Sequence, residues 1–154
     1  MPLTSYMAPL TAADIPALEA VEKETRLALW GLESYRRFLE ELPEYFGYKT
    51  VVADDSRGEI LAGFYLARSV FENLEILKVG VFPMYQRQGL GTQLMDSAYA
   101  EGIKRGCRRC FLEVRKSNRA AIQFYQDHKF KFAGTRINYY SDPVEDAWIM
   151  ERLL

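Results

Sequence analysis

Gln86-Arg87-Gln88-Gly89-Leu90-Gly91-Thr92 separates two stretches of different period. Before it, Leu74 to Val81 reads as an apolar strand that Pro83 ends. After it, Leu90, Leu94, Met95, Ala98, Tyr99 and Ile103 recur along one face of a 3.6-residue helix. A glycine-rich turn opening a helix presents unpaired N–H groups and the positive end of the helix dipole, which suits phosphate. Gly89 and Gly91 have no Cβ, so a pyrophosphate can approach the main chain. The loop has no Gly-Lys-Ser/Thr of a Walker A sequence, and it lacks the third glycine and downstream acid of a dinucleotide fingerprint. The alternative is a helix start whose glycines serve only tight packing.

Outward from this loop, Tyr6 to Pro9 reads as a first strand. Thr11, with Asp14 three residues on, reads as the cap of a helix reaching about Thr25, its stripe Ile15, Leu18 and Val21. A second helix, about Leu32 to Glu41, turns Tyr35, Phe38, Leu39 and Leu42 inward and stops at Pro43. Thr50 to Ala53 and Ile60 to Ser69 flank the turn residues Asp54 to Gly58, a hairpin pattern. Cys110 to Val114 is a short strand, and Asn118 to His128 a short helix. Phe130 to Thr135 and Trp148 to Leu153 are final strands joined across the Asp142-Pro143 loop. The order β-α-α-β-β-β-α-β-α-β-β predicts an α/β chain with a mixed sheet. With no repeat, low-complexity tract or linker, residues 1–154 are expected to form one domain.

Composition narrows the function classes. Hydrophobic residues make up 49% and charged residues 27% of the 154, which excludes collagen-like and disordered classes. No apolar run nears the ~20 residues that span a bilayer, so no membrane association is expected. The first residues lack the basic and apolar regions of a signal peptide, and cysteines number two, so the cytoplasm is the expected compartment. Two cysteines and one histidine cannot complete a four-ligand Cys/His zinc site, and no metal is expected. Residues 1–75 hold 13 acidic and 7 basic side chains, and residues 76–154 hold 8 and 13. That asymmetry suggests an anionic ligand on the basic half. It is too weak for a nucleic-acid protein.

Four blocks, in order, now carry a resemblance. They are Tyr85-Gln86-Arg87-Gln88-Gly89-Leu90-Gly91; Leu112-Glu113-Val114-Arg115; Ser117-Asn118-Arg119-Ala120-Ala121-Ile122 with Tyr125; and Asn138-Tyr139-Tyr140 with Glu145-Asp146-Ala147 and Met150. The chain resembles the GNAT N-acetyltransferases, and within them the RimI type, the ribosomal-protein alanine N-acetyltransferases. The resemblance implies acetyl-CoA as cosubstrate. Val79, Gly80 and Val81 would bind its pantetheine arm at a strand bulge, and Arg87, Gln88, Gly89, Leu90, Gly91 and Thr92 its pyrophosphate. Asn118 would touch the cofactor, or serve only as a helix cap.

Transfer of an acetyl group from a thioester to an amine needs a proton taken from the amine and one given to the departing sulfur. Alternation puts Glu113 and Phe111 on one face of their strand and Leu112 and Val114 on the other. A carboxylate in so apolar a strand is expected to be poorly solvated and ready to take a proton. An edge-strand Glu paired with Arg108 or Arg115 is the other reading. The resemblance makes Glu113 the general base and Tyr125 the general acid; without it, Tyr125 is a core aromatic among 10 tyrosines.

Tyr139 and Tyr140, expected in the loop before the last strand, would line a peptide groove, or merely end a β-rich strand. An α-amine, pKa about 7.7–8.0, is roughly 3.4 kcal/mol easier to deprotonate than lysine at about 10.4, which favours a protein or peptide N-terminus as acceptor. A ribosomal protein is the acceptor class the resemblance implies, for an enzyme acting as monomer or homodimer. A small-molecule amine, or no turnover at all in a silent acyl-CoA binder, are the rivals. Three departures from the family stand out: Lys129 occupies a position usually glycine, Thr92 one that is often basic, and the N-terminal third matches the family weakly.

Overall fold

The computed structural model describes residues 3–25 and 27–154. The elements are β1 (Ser5–Pro9), α1 (Ile15–Thr25), α2 (Leu32–Glu40), β2 (Tyr45–Asp54), β3 (Gly58–Val70), β4 (Asn73–Val81), α3 (Leu90–Lys104), β5 (Arg109–Arg115), α4 (Arg119–Asp127), β6 (Lys131–Ser141) and β7 (Val144–Leu153). Short 3₁₀ turns at Ala12–Asp14 and Pro83–Tyr85 precede α1 and α3. The Thr11 N–H donates to the Asp14 carboxylate at 2.9 Å, the reciprocal bond of a capping box. This is the mixed α/β order expected from the sequence. β6 and β7 are longer than their apolar runs, because β6 is an exposed edge strand whose polar residues carry no burial pattern.

One sheet runs β1-β2-β3-β4-β5-β7-β6. Every neighbouring pair is antiparallel except β4–β5, which is parallel. β3 shows how the two faces are filled. Phe64 and Leu66 meet Ile15, Leu18, Val21, Tyr35 and Phe38 of α1 and α2. Tyr65 and Ala67 belong to the cluster holding Leu90, Leu94, Met95 and Ala98 of α3 and Ile122 of α4. Leu94 and Met95 are fully buried, each worth roughly 1.5–3 kcal/mol of apolar burial. Among the described residues no helix is long and apolar enough to cross a membrane.

The feature that creates a site is the parting of β4 from β5. They pair only from Asn73↔Arg109 to Ile76↔Leu112. At the next residue β4 bulges: Ala67 pairs with Ile76 but Leu66 with Lys78, leaving Leu77 extra. Beyond it, Lys78 to Val81 stay with β3 and Glu113 to Arg115 with β7, so a wedge opens at the C-terminal ends of the parallel strands. The bulge therefore lies at Leu77 and not, as expected, at Gly80, which sits in regular register with Phe64. Gly80 supplies clearance instead. A Cβ there would lie 2.8 Å from Leu27 Cδ1 and 3.0 Å from Val21 Cγ1.

Candidate active site

The wedge has an unsatisfied backbone edge. The Phe82 N–H donates to the Ala62 carbonyl at 2.8 Å. By the alternation of an antiparallel ladder, Gly80 and Lys78 likewise aim their backbone groups at β3, whereas Val79 and Val81 aim theirs into the wedge. Gln86 Nε2 donates to the Val81 carbonyl at 2.9 Å, which leaves the Val79 groups and the Val81 N–H to line it. Gly80 thus contributes no groups to this edge.

Two helices begin at the mouth of the wedge, α3 after β4 and α4 after β5. Arg87 (φ 62°) and Gly89 (φ 84°) adopt left-handed backbone as the chain turns into α3. The Gln93 N–H is bonded to the Gly89 carbonyl at 3.1 Å, so the N–H groups of Leu90, Gly91 and Thr92 fall within the unpaired first turn. Leu90 sends its side chain into the core and offers only backbone outward. The two glycines differ. A Cβ on Gly89 would meet nothing within 4 Å, so that position needs glycine for its backbone and opens onto free space. A Cβ on Gly91 would stand 3.3 Å from Phe124 Cζ, so Gly91 lets α4 close on α3. Arg87 and Gln88 are exposed beside the turn. The Thr92 hydroxyl bonds His128 Nε2 at 3.2 Å.

Asn118 is the α4 cap: its Oδ1 accepts from the Ala121 N–H at 3.1 Å. The far end of α4 forms the left-handed turn despite its lysine. Lys129 has φ 71°, and the Phe130 N–H closes on the Tyr125 carbonyl at 3.0 Å. Between those ends Tyr125 packs on Phe124 and Phe130, with centroids 5.5 and 5.8 Å away. Burial, with Tyr140 nearby, holds its phenol well above the usual tyrosine value, so the hydroxyl keeps its proton at neutral pH.

Leu112 and Val114 point into the α3 core, and Glu113 points to the opposite face of β5. Its surroundings differ from the apolar setting the strand suggested. Glu113 Oε1 takes Arg136 Nε at 3.1 Å, and its side chain is about a quarter exposed at 26%. The partner is thus neither Arg108 nor Arg115 but an arginine from β6. A bulge delivers it. Arg136 pairs with Ala147 and Tyr140 with Glu145, so Ile137, Asn138 and Tyr139 oppose Asp146 alone. Asn138 takes φ 53°, and its N–H donates to Asp146 Oδ1 at 2.9 Å.

Tyr139 and Tyr140 consequently lie inside β6, not in a loop. The Arg136 guanidinium stands 5.4 Å over the Tyr139 ring, and Arg115 stands 4.2 Å over Tyr140. Partial burial and the neighbouring Glu113 carboxylate both raise the Tyr139 phenol. Burial, and then the same carboxylate, push Tyr140 up to about 12. Tyr140 therefore lies near both Glu113 and Tyr125, and Tyr139 near Glu113.

Arg136, Asp146 and the clamp of Gln86 on Val81 escape sequence reasoning as site parts. Gln86, inside the glycine loop, and Asp146, in the fourth block, stood in quoted motifs without a role, and Arg136 carried no signal. Cys107 and Cys110 are buried free thiols, and burial lifts Cys110 up to about 12, which leaves it inert. Among the described residues no three His, Cys, Asp or Glu side chains gather to hold a metal.

The fold that carries this wedge has counterparts among known proteins. Residues 15–130 match the Acetyltransferase (GNAT) family. The chain belongs to that family. It is 33% identical over 143 residues, 92% of each chain, to the [ribosomal protein bS18]-alanine N-acetyltransferase of Escherichia coli K12. The crystal structure of the Escherichia coli ribosomal-protein-S18-alanine N-acetyltransferase superposes with a TM-score of 0.81 at 31% identity, covering 97% of this chain and 94% of that one. Arabidopsis thaliana NAA60 in complex with acetyl-CoA shares the fold, with a TM-score of 0.85 at 20% identity over 98% of this chain and 99% of that one. The GNAT fold expected from the four sequence blocks is the fold observed.

Proposed function

We propose that this GNAT protein acts as one catalytic domain over residues 1–154 and moves an acetyl group from acetyl-CoA to the N-terminal α-amine of a protein. The observation that carries the reading is that a carboxylate, Glu113, and a phenol held protonated by burial, Tyr125, share Tyr140 as a neighbour. Similarity to the bS18-alanine acetyltransferase supports the acceptor class, a ribosomal protein met in the cytoplasm.

The residues present suit the cosubstrate. Val79 and Val81 offer backbone groups to an extended amide-bearing arm, as a neighbouring strand would. The first turn of α3 offers N–H groups to phosphate, with open space at Gly89. Asn118, at the start of the second helix, lies on the same side. Bound there, acetyl-CoA supplies the activated acyl group. Glu113 takes the proton of the acceptor amine, directly or through water, and Arg136 holds the carboxylate in place. Tyr125 gives its proton to the departing sulfur. Tyr139 and Tyr140 form the wall against which the acceptor backbone lies.

The deciding experiment gives the protein acetyl-CoA and a peptide with a free N-terminal Ala and one internal Lys, then locates the acetyl group by fragmentation. Acetyl on the α-amine is the expected outcome. Acetyl on lysine, or transfer only to small amines in a parallel panel, refutes the acceptor assignment.

A further inference from the structure

His128 is the only histidine in the sequence, and the chemistry above leaves it without a role. It caps the end of α4, where both nitrogens of its ring bridge to α3. Nε2 bonds the Thr92 hydroxyl at 3.2 Å, and Nδ1 bonds the Tyr99 hydroxyl at 3.4 Å. Thr92 and Tyr99 stand at i and i+7, on one face of α3. The ring packs on Phe124 at 4.6 Å and on Tyr99 at 6.3 Å, and Arg152 Nη1 of β7 donates to the His128 carbonyl at 2.9 Å. A side chain that merely filled this gap would need no nitrogen. The contacts instead fix an ionisable ring one hydrogen bond from the first turn of α3.

Thr92 gives that bond its meaning. Its N–H is one of the three left unpaired where α3 begins, and the residue is exposed. A neutral imidazole has one N–H and one lone pair, whereas an imidazolium donates from both nitrogens. With the ring charged, the Thr92 hydroxyl accepts from Nε2–H and its own hydrogen is free to turn outward. A positive charge then lies behind the turn, and an anion on its N–H groups gains an attraction that the neutral ring does not supply. The surroundings set where the ring changes state. Burial, the largest influence, holds it below the usual histidine value; Asp96 of α3 and Asp127 of α4 favour the cation, and Arg152 opposes it. The Tyr99 phenol, raised by burial, stays uncharged beside it.

We propose that His128 is a positioning residue for the cosubstrate: acting through Thr92, its protonated ring strengthens the hold of the α3 turn on the diphosphate of acetyl-CoA. This role rests on the reading of the turn as the diphosphate site. By linkage, a bound diphosphate raises the proton affinity of the ring. Binding is therefore tightest below the pKa of His128 in the free protein, weakens as pH rises, and is weakest above its pKa in the complex.

The probe is dephospho-CoA, which keeps the diphosphate and lacks the phosphomonoester that would itself titrate near pH 6. Calorimetry on the wild type between pH 5.5 and 8 is expected to show the dissociation constant rising roughly 3–10-fold with pH. At intermediate pH, paired buffers of different ionisation heat should reveal uptake of a fraction of a proton on binding. His128→Gln, which keeps a neutral partner for Thr92, and His128→Leu should bind at every pH about as the wild type does at pH 8, without proton uptake. A wild-type dissociation constant that is flat over this range overturns the proposal and leaves the cosubstrate reading standing. The same holds for a pH dependence that persists in both variants. Failure of dephospho-CoA to bind at any pH strikes the cosubstrate reading and this role with it.

Discussion

Arg136 changes what Glu113 can do. A guanidinium at 3.1 Å fixes the direction of the carboxylate, so the proposed base is held in one orientation. Glu113→Gln keeps the size of the side chain and removes its basicity. It is expected to lower kcat at pH 7 by roughly 10²–10⁴-fold, with the acetyl-CoA dissociation constant nearly unchanged. Turnover equal to wild type between pH 6 and 9 would remove Glu113 as base. Tyr125 makes the complementary prediction. Because burial holds its phenol above the usual tyrosine value, it stays protonated across the working range, and kcat should show no alkaline limb from this group below about pH 10. Tyr125→Phe should lower kcat without moving KM for the peptide. A limb near pH 9 that disappears in Tyr125→Phe would contradict the assignment.

At the scale of elements, the two glycines of the α3 turn separate binding from chemistry. Gly89→Ala forces a side-chain-bearing residue to φ 84°, at a cost of roughly 1 kcal/mol, and distorts the turn proposed to hold phosphate. It should raise KM for acetyl-CoA more than it lowers kcat. Gly91→Val pushes on Phe124, the neighbour of Tyr125, and should lower kcat more than it raises that KM. Initial rates over an acetyl-CoA series separate the two patterns; identical patterns would mean the glycines share one role. Here the sequence was easily read, because loop, cap and amphipathic stripe lie within twenty residues. The β6 bulge was not, since Asn138 needs Asp146 from the next strand to take up its N–H, and only the folded hairpin brings the two together. Leu77 is similar. An apolar residue inside an apolar strand gives no local sign that the ladder slips there, whereas Gly80 looked like a bulge and proved to be a clearance. Glu22 of α1 and Lys78 of β4, 56 positions apart and joined as a buried ion pair, gave no signal at all.

For the whole molecule, buried titratable groups dictate the alkaline behaviour. Lys78 is lowered by burial from 10.5 to about 8. Between those values the unfolded chain binds more protons than the folded one, so stability rises with pH. Burial raises the phenols of Tyr35, Tyr65, Tyr99 and Tyr125 above 10.0, and these have the opposite sign. As pH climbs past about 10 the unfolded chain releases protons that the folded chain keeps, and stability falls. Urea midpoints should therefore climb from pH 8 towards 10 and drop by pH 11. A Glu22→Leu/Lys78→Met variant, which removes both charges together, should lack the climb and keep the drop, and a climb of equal size in that variant would exclude Lys78 as its source.

The short β4–β5 pairing has a mechanical consequence. Strands β1 to β4 form one antiparallel ribbon and β5 to β7 another, and in the sheet they are stitched along only four residue pairs, Asn73↔Arg109 to Ile76↔Leu112. The protein is in this respect a book with a short spine, its pages parted at the edge that holds the proposed site of acetyl transfer. Small rotations about that spine alter the gap most at the reacting end and least at the stitched one.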